Sequence, residues 1–96
     1  MHDKAKDNDF YVRFRQQLFD TSTWPSTYIF KFIIPSSGDA QDTLKSLFIN
    51  DDVETTVRAS SKGKYNSISI KGTFQNPDII IEKYKLASKI PNIIQL

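Results

Sequence analysis

The side chains best able to do chemistry fall in one run near the middle of the chain. Arg58, Lys62, Lys64 and Lys71 are cations, Ser60, Ser61 and Ser67 offer hydroxyls, and Tyr65 offers a ring with a polar tip. No acid interrupts the stretch from Arg58 to Lys71. Such a patch attracts phosphates or an acidic partner surface. The same lysines have a plainer use, keeping a hairpin soluble and discouraging edge-to-edge pairing. Lys31, further upstream, joins the candidates through the strand pattern described below.

Catalytic chemistry finds little to work with. His2 is the only histidine and sits at the N-terminus, so no Ser–His pair or histidine metal site is expected on the folded domain. With no cysteine there is no thiolate metal site, disulfide or cysteine nucleophile. The Gly-x-x-x-x-Gly-Lys-Ser/Thr pattern of a phosphate loop is missing. Asp51, Asp52 and Glu54 cluster at a turn and the start of an edge strand, where acids solvate rather than catalyse. The chain reads as a non-enzyme without cofactor or metal.

The elements that must position the basic run follow from periodicity. Residues 1–9 are polar and read as a mobile tail ahead of a single domain over 10–96. Phe10, Phe14 and Leu18 recur at helical spacing and predict a helix over about 10–20, whose aromatic stripe either packs back on the domain or docks a partner. After Trp24-Pro25, residues 26–34 read as a strand with Tyr28, Phe30, Phe32 and Ile34 facing a core and Ile29, Lys31 and Ile33 facing away.

Pro35 ends that strand, Ser36 and Asp39 suggest a capping box, and a helix is expected over 38–49, burying Ala40, Leu44, Leu47 and Phe48. Residues 53–59 alternate as a second strand. A turn follows in which Gly63 takes positive φ, and from Tyr65 a third strand sets Tyr65, Ser67, Ser69 and Lys71 on one side and Ile68, Ile70 and Phe74 on the other. Asn76-Pro77-Asp78 starts a last helix, with Ile80, Ile81, Tyr84, Ala87 and Ile90 buried and Lys83 solvated. Residues 92–96 close the chain as a short strand. The order is an extra N-terminal helix followed by β-α-β-β-α-β: an α+β, ferredoxin-like sandwich, four antiparallel strands with two helices on one face and the first and third strands central.

Charge is distributed unevenly along this order. Residues 1–54 carry nine acids and six bases, a net of −3, while residues 55–96 carry two acids and seven bases, a net of +5. No apolar run approaches the roughly 18 residues of a membrane span, and the N-terminus lacks a signal-peptide core. A cytoplasmic protein with no membrane contact is expected.

The stretch Val57-Arg-Ala-Ser-Ser-Lys-Gly-Lys-Tyr-Asn-Ser-Ile-Ser-Ile70 resembles the YbeD-like family of small uncharacterised bacterial proteins, whose members carry a similar Ser-Ser-Lys-Gly-x-Tyr-x-Ser run at this hairpin. The resemblance extends from about Pro25 to Leu96, including Tyr84 and Ile90. It implies a ferredoxin-like domain similar to the ACT regulatory modules of amino-acid metabolism, with no established activity. ACT domains bind small effectors at the turn after the first strand, commonly at a Pro-Gly pair. Here two serines intervene, in Pro35-Ser-Ser-Gly38.

RNA-recognition domains share this topology and stack bases on aromatics of the two central strands. Lys62-Gly63-Lys64-Tyr65 echoes their Lys/Arg-Gly-Phe/Tyr signature, but Tyr65 has no aromatic companion on that side. The leading expectation is a binding or regulatory domain that meets a protein partner or a second copy of itself. It would do so through Arg58, Ser60, Ser61, Lys62, Gly63, Lys64, Tyr65, Ser67, Lys71 and Lys31. RNA association is the alternative, and a small-metabolite sensor with an unknown effector is a third.

Overall fold

The computed structural model describes residues 4–96, with side chains described from Asp9 onward. Three helices and four strands follow in the order α1 (Lys4–Thr21), β1 (Ser26–Pro35), α2 (Ala40–Ser46), β2 (Val53–Ala59), β3 (Tyr65–Phe74), α3 (Pro77–Ala87) and β4 (Ile94–Gln95). The strands form one antiparallel sheet in the order β2-β3-β1-β4, so the two most apolar strands are central.

Period-two alternation decides which side of the sheet is dry. Phe30, Phe32 and Ile34 of β1 and Ile68 and Ile70 of β3 are fully buried, and the register sets Phe30 beside Ile70 and Phe32 beside Ile68. Helix α3 closes over them with Ile80, Ile81, Tyr84 and Ala87, and α2 adds Ala40 and Leu44. The core is rich in rings: Phe30 meets Phe48, Phe74 and Tyr84 at centroid separations of 5.0–5.5 Å. The Tyr28 and Tyr84 hydroxyls share a 2.7 Å hydrogen bond. Burial first, and then that bond, push the Tyr84 hydroxyl well above its ordinary pKa.

Asn76 caps α3 as expected, its side chain accepting from the Ile79 N–H at 3.1 Å, with Pro77 in the first turn. Gly72 lies directly opposite Val53, where β2 pairs closely with β3. A Cβ there would lie 2.8 Å from Val53 Cγ1 and 3.1 Å from the Asp52 carbonyl oxygen.

Several boundaries differ from the sequence reading. Helix α1 begins at Lys4, so residues 4–9, expected as a tail, continue the helix expected from Phe10; residues 1–3 and His2 lie outside the described residues. It lies against α3: Leu18 is buried, Tyr11 and Phe14 pack on the core, and Phe14 approaches Tyr84 at 5.7 Å. Only part of the expected stripe is used, since Phe10 and Phe19 remain exposed.

Helix α2 is shorter than the expected 38–49. Its last turns tighten, with Leu47, Phe48 and Ile49 N–H groups reaching back three residues rather than four. Ser36 does not cap it. That hydroxyl is spent on the Gly63 carbonyl, and Asp39 takes the N-cap position without a side-chain bond. The closing strand contracts to Ile94–Gln95.

Lys83, expected in solvent, is largely buried. Its Nζ lies 2.7 Å from Asp51 Oδ2, donates to the Leu47 carbonyl at 2.5 Å and sits over the Phe48 ring. Asp51 is thereby withdrawn from the solvating cluster expected with Asp52 and Glu54.

Candidate interaction face

Among the described residues no helix lies over the side of the sheet opposite the core. Register places its residues in cross-strand rows: Glu54, Lys71 and Ile29; Thr56, Ser69 and Lys31; Arg58, Ser67, Ile33 and Ile94. Leu96 extends the second row, donating its N–H to the Lys31 carbonyl at 2.9 Å. Ile29 is 47% exposed, Ile94 51% and Leu96 65%, beside exposed Lys31, Arg58 and Lys71. Glu54 is the one acid in these rows. The pleat that buries Phe30 and Ile70 necessarily turns Ile29 and Lys71 to the other side.

Six of the ten residues expected to act together divide between two concavities, and Ser60, Ser61, Lys62 and Lys71 line neither. Lys31, Arg58 and Ser67 converge on a shallow depression of about 420 Å³, completed by Thr56, Ser69 and Leu96. It has a hydroxyl floor with a cation on either flank. Gly63, Lys64 and Tyr65 instead line an open groove of about 790 Å³ at the end of the sheet, facing Pro35, Ser36 and the segment from Asn92 to Ile94. Lys71 stands apart, two rows from Arg58 along the sheet.

The hairpin between β2 and β3 is built as the sequence suggests. Ser60 donates its N–H to the Tyr65 carbonyl at 2.8 Å, Gly63 donates to the Ser60 carbonyl at 3.0 Å, and Gly63 has φ of +71°. The Ser60 hydroxyl accepts from the Tyr65 N–H at 3.2 Å, so it serves the turn rather than a ligand. Ser36 fastens the tip to the end of β1: its N–H reaches the Lys64 carbonyl at 2.9 Å and its hydroxyl the Gly63 carbonyl. Ser61 and Lys62 project from that anchored turn into solvent.

Thr56, Ser69 and Leu96 in the depression, and Asn92 to Ile94 in the groove, were not among the expected site residues. Ser69 and Thr56 share strand parity with Ser67 and Arg58, so alternation could have found them. Nothing local marks Leu96 or Asn92, because the closing strand pairs through only two residues.

The turn from Pro35 to Gly38 borders a third concavity of about 380 Å³, closed on its far side by Leu86, Lys89, Ile90 and Pro91. Among the described residues no group of three or more His, Asp or Glu could hold a metal ion, and no helix is long and apolar enough to cross a membrane. No family model matches this chain, and no curated protein or solved structure is significantly similar to it.

Proposed function

We propose that this chain is a non-enzymatic binding or regulatory domain of the ferredoxin-like βαββαβ kind, with an added N-terminal helix, that engages a protein partner through its bare sheet face and basic hairpin. The observation carrying this reading is the composition of that face. Exposed Ile29, Ile94 and Leu96 alternate with Lys31, Arg58 and Lys71, on a surface that the chain's own α1 leaves open. Apolar side chains interleaved with cations suit a partner that offers acids around an apolar centre. The YbeD-like resemblance of the hairpin, and the ACT-like domain it implies, are compatible with a regulatory role in the cytoplasm.

The rows also weigh against base stacking. Tyr65 is the one aromatic among the strand residues on this side, and its cross-strand neighbour is Pro35. A single stacked base contributes only about 1–3 kcal/mol.

The test is affinity purification followed by mass spectrometry with three baits: wild type, Ile29→Asp and Lys62→Glu/Lys64→Glu, each checked for unchanged helicity and melting. The reading expects a partner enriched on wild type and depleted on the variants. Identical profiles for all three baits would sink it. A second reading, a small-metabolite sensor, rests on the concavity beside Pro35 to Gly38. It expects a melting-temperature rise in a screen of amino acids and phosphorylated metabolites, through preferential binding to the folded state.

A further inference from the structure

Strand β2 is an edge strand that nothing among the described residues covers. Every residue from Glu54 to Ala59 is exposed, including those on the helix side, because α2 is short and packs on β1. Edges usually carry a device against pairing, such as proline, lysine or a bulge. This one has no proline, lysine or bulge, and its two charges, Glu54 and Arg58, are of opposite sign: its seven residues, Val-Glu-Thr-Thr-Val-Arg-Ala, run in unbroken register against β3.

Hydrogen-bond phase shows which groups are free. Ser60 donates to the Tyr65 carbonyl, so even-numbered residues of β2 direct their backbone groups at β3. Val53, Thr55, Val57 and Ala59 therefore turn their N–H and C=O groups to the open edge.

We infer that a second copy of this chain adds to that edge, antiparallel, about a two-fold axis through Thr56. In this register Thr55 exchanges both hydrogen bonds with the second copy's Val57, and Val53 does so with its Ala59, using every outward backbone group. Thr56 meets its own counterpart, and Glu54 meets the second copy's Arg58 on both sides of the axis. These are non-hydrogen-bonded positions, where opposed Cα atoms are only about 4.5 Å apart and side chains interact most strongly. The strand is self-complementary in charge because its acid and base lie four residues apart on one side, symmetric about Thr56. Centring the axis on Val57 keeps the backbone phase but opposes Glu54 to Ser60, losing both ion pairs. The product is one eight-stranded sheet, its bare faces continuous. The inference concerns the edge and does not depend on the partner reading of the face.

The test combines sedimentation equilibrium with cysteine cross-linking, for which the cysteine-free chain is well suited. Wild type is expected to self-associate with concentration. Arg58→Glu and Glu54→Arg, each making like charges meet, should weaken this by about tenfold or more. Mixing those two variants should restore a dimer, since each supplies the charges the other lacks. Thr56→Cys should form an intermolecular disulfide under mild oxidation while Thr55→Cys, opposed to valine, should not. A wild-type monomer up to roughly 1 mM overturns the inference. So does a dimer indifferent to both charge reversals, or one that cross-links through Thr55→Cys and not Thr56→Cys. Loss of partner capture by Ile29→Asp with the dimer intact separates the two proposals.

Discussion

Phe30 and Ile29 are adjacent in β1 and both strongly apolar, yet Phe30 is fully buried and Ile29 is about half exposed. Lys83 and Lys31 make the same contrast among cations: one is folded against Asp51 and Phe48, the other stands in the bare rows. The helical side uses its residues for cohesion. Rings interlock, polar atoms are paired, and even a lysine has three partners. The bare side holds residues of the same types with few internal partners, so they add little to the cohesion of the fold.

The largest effect should come from exchanging large for small on each side in turn. Phe30→Ala removes a ring in contact with Tyr28, Phe32, Phe48, Phe74 and Tyr84, and should cost about 3–5 kcal/mol in urea unfolding. Ile29→Ala, one residue away, should change stability by less than about 1 kcal/mol. Comparable costs at the two positions would mean that the bare face is covered in solution.

The lysine pair sharpens the contrast at a smaller scale. Lys83→Met keeps much of the stem but leaves Asp51 half-buried with no cation and the Leu47 carbonyl without its donor. Asp51 Oδ2 has no other hydrogen-bond partner to turn to. An unpaired polar group of this kind costs about 1–3 kcal/mol. Lys31→Met should be neutral within about 0.5 kcal/mol. Thermal or chemical unfolding of the two variants side by side decides the matter.

These contrasts also explain what could be read from the sequence. Tyr28, Phe30, Phe32 and Ile34 against Ile29, Lys31 and Ile33 announce two faces because period-two alternation reports burial directly, and the strand order follows from the short and helical connections. The α3 cap was legible for a similar reason: Asn76, Pro77 and Asp78 act within one turn of chain. Lys83 was misread because its partners lie in the loop around Asp51, thirty-two residues earlier, and periodicity alone assigns a lysine to solvent. Ser36 looked like a helix cap, but the hairpin tip competes for the same hydroxyl and wins it. The basic residues could be named but not grouped. Arg58 and Lys31 meet only across three strands, whereas Lys62 and Lys64, closer in sequence to Arg58, are carried off by the turn at Gly63.

The smallest expected effect tests where the cohesive side ends. Arg15 of α1 pairs with Asp78 at the start of α3, and both side chains are largely in solvent. The Arg15 hydrogen bond, opposed by desolvation and aided by the Arg15 charge, holds the Asp78 carboxyl below its ordinary value of 3.8. A carboxyl depressed by folding contributes stability that is present above its unfolded pKa and is lost as pH falls through the folded one. The pair therefore acts at neutral pH and fades only in acid, and screening keeps its contribution small. An NMR titration should find the Asp78 midpoint below 3.8 in wild type and higher in Arg15→Ala, with melting at pH 7 nearly unchanged. If melting instead falls as far as in Lys83→Met, this contact belongs with the buried pair. Helix α1 would then be held by its rim as much as by Leu18 and Phe14.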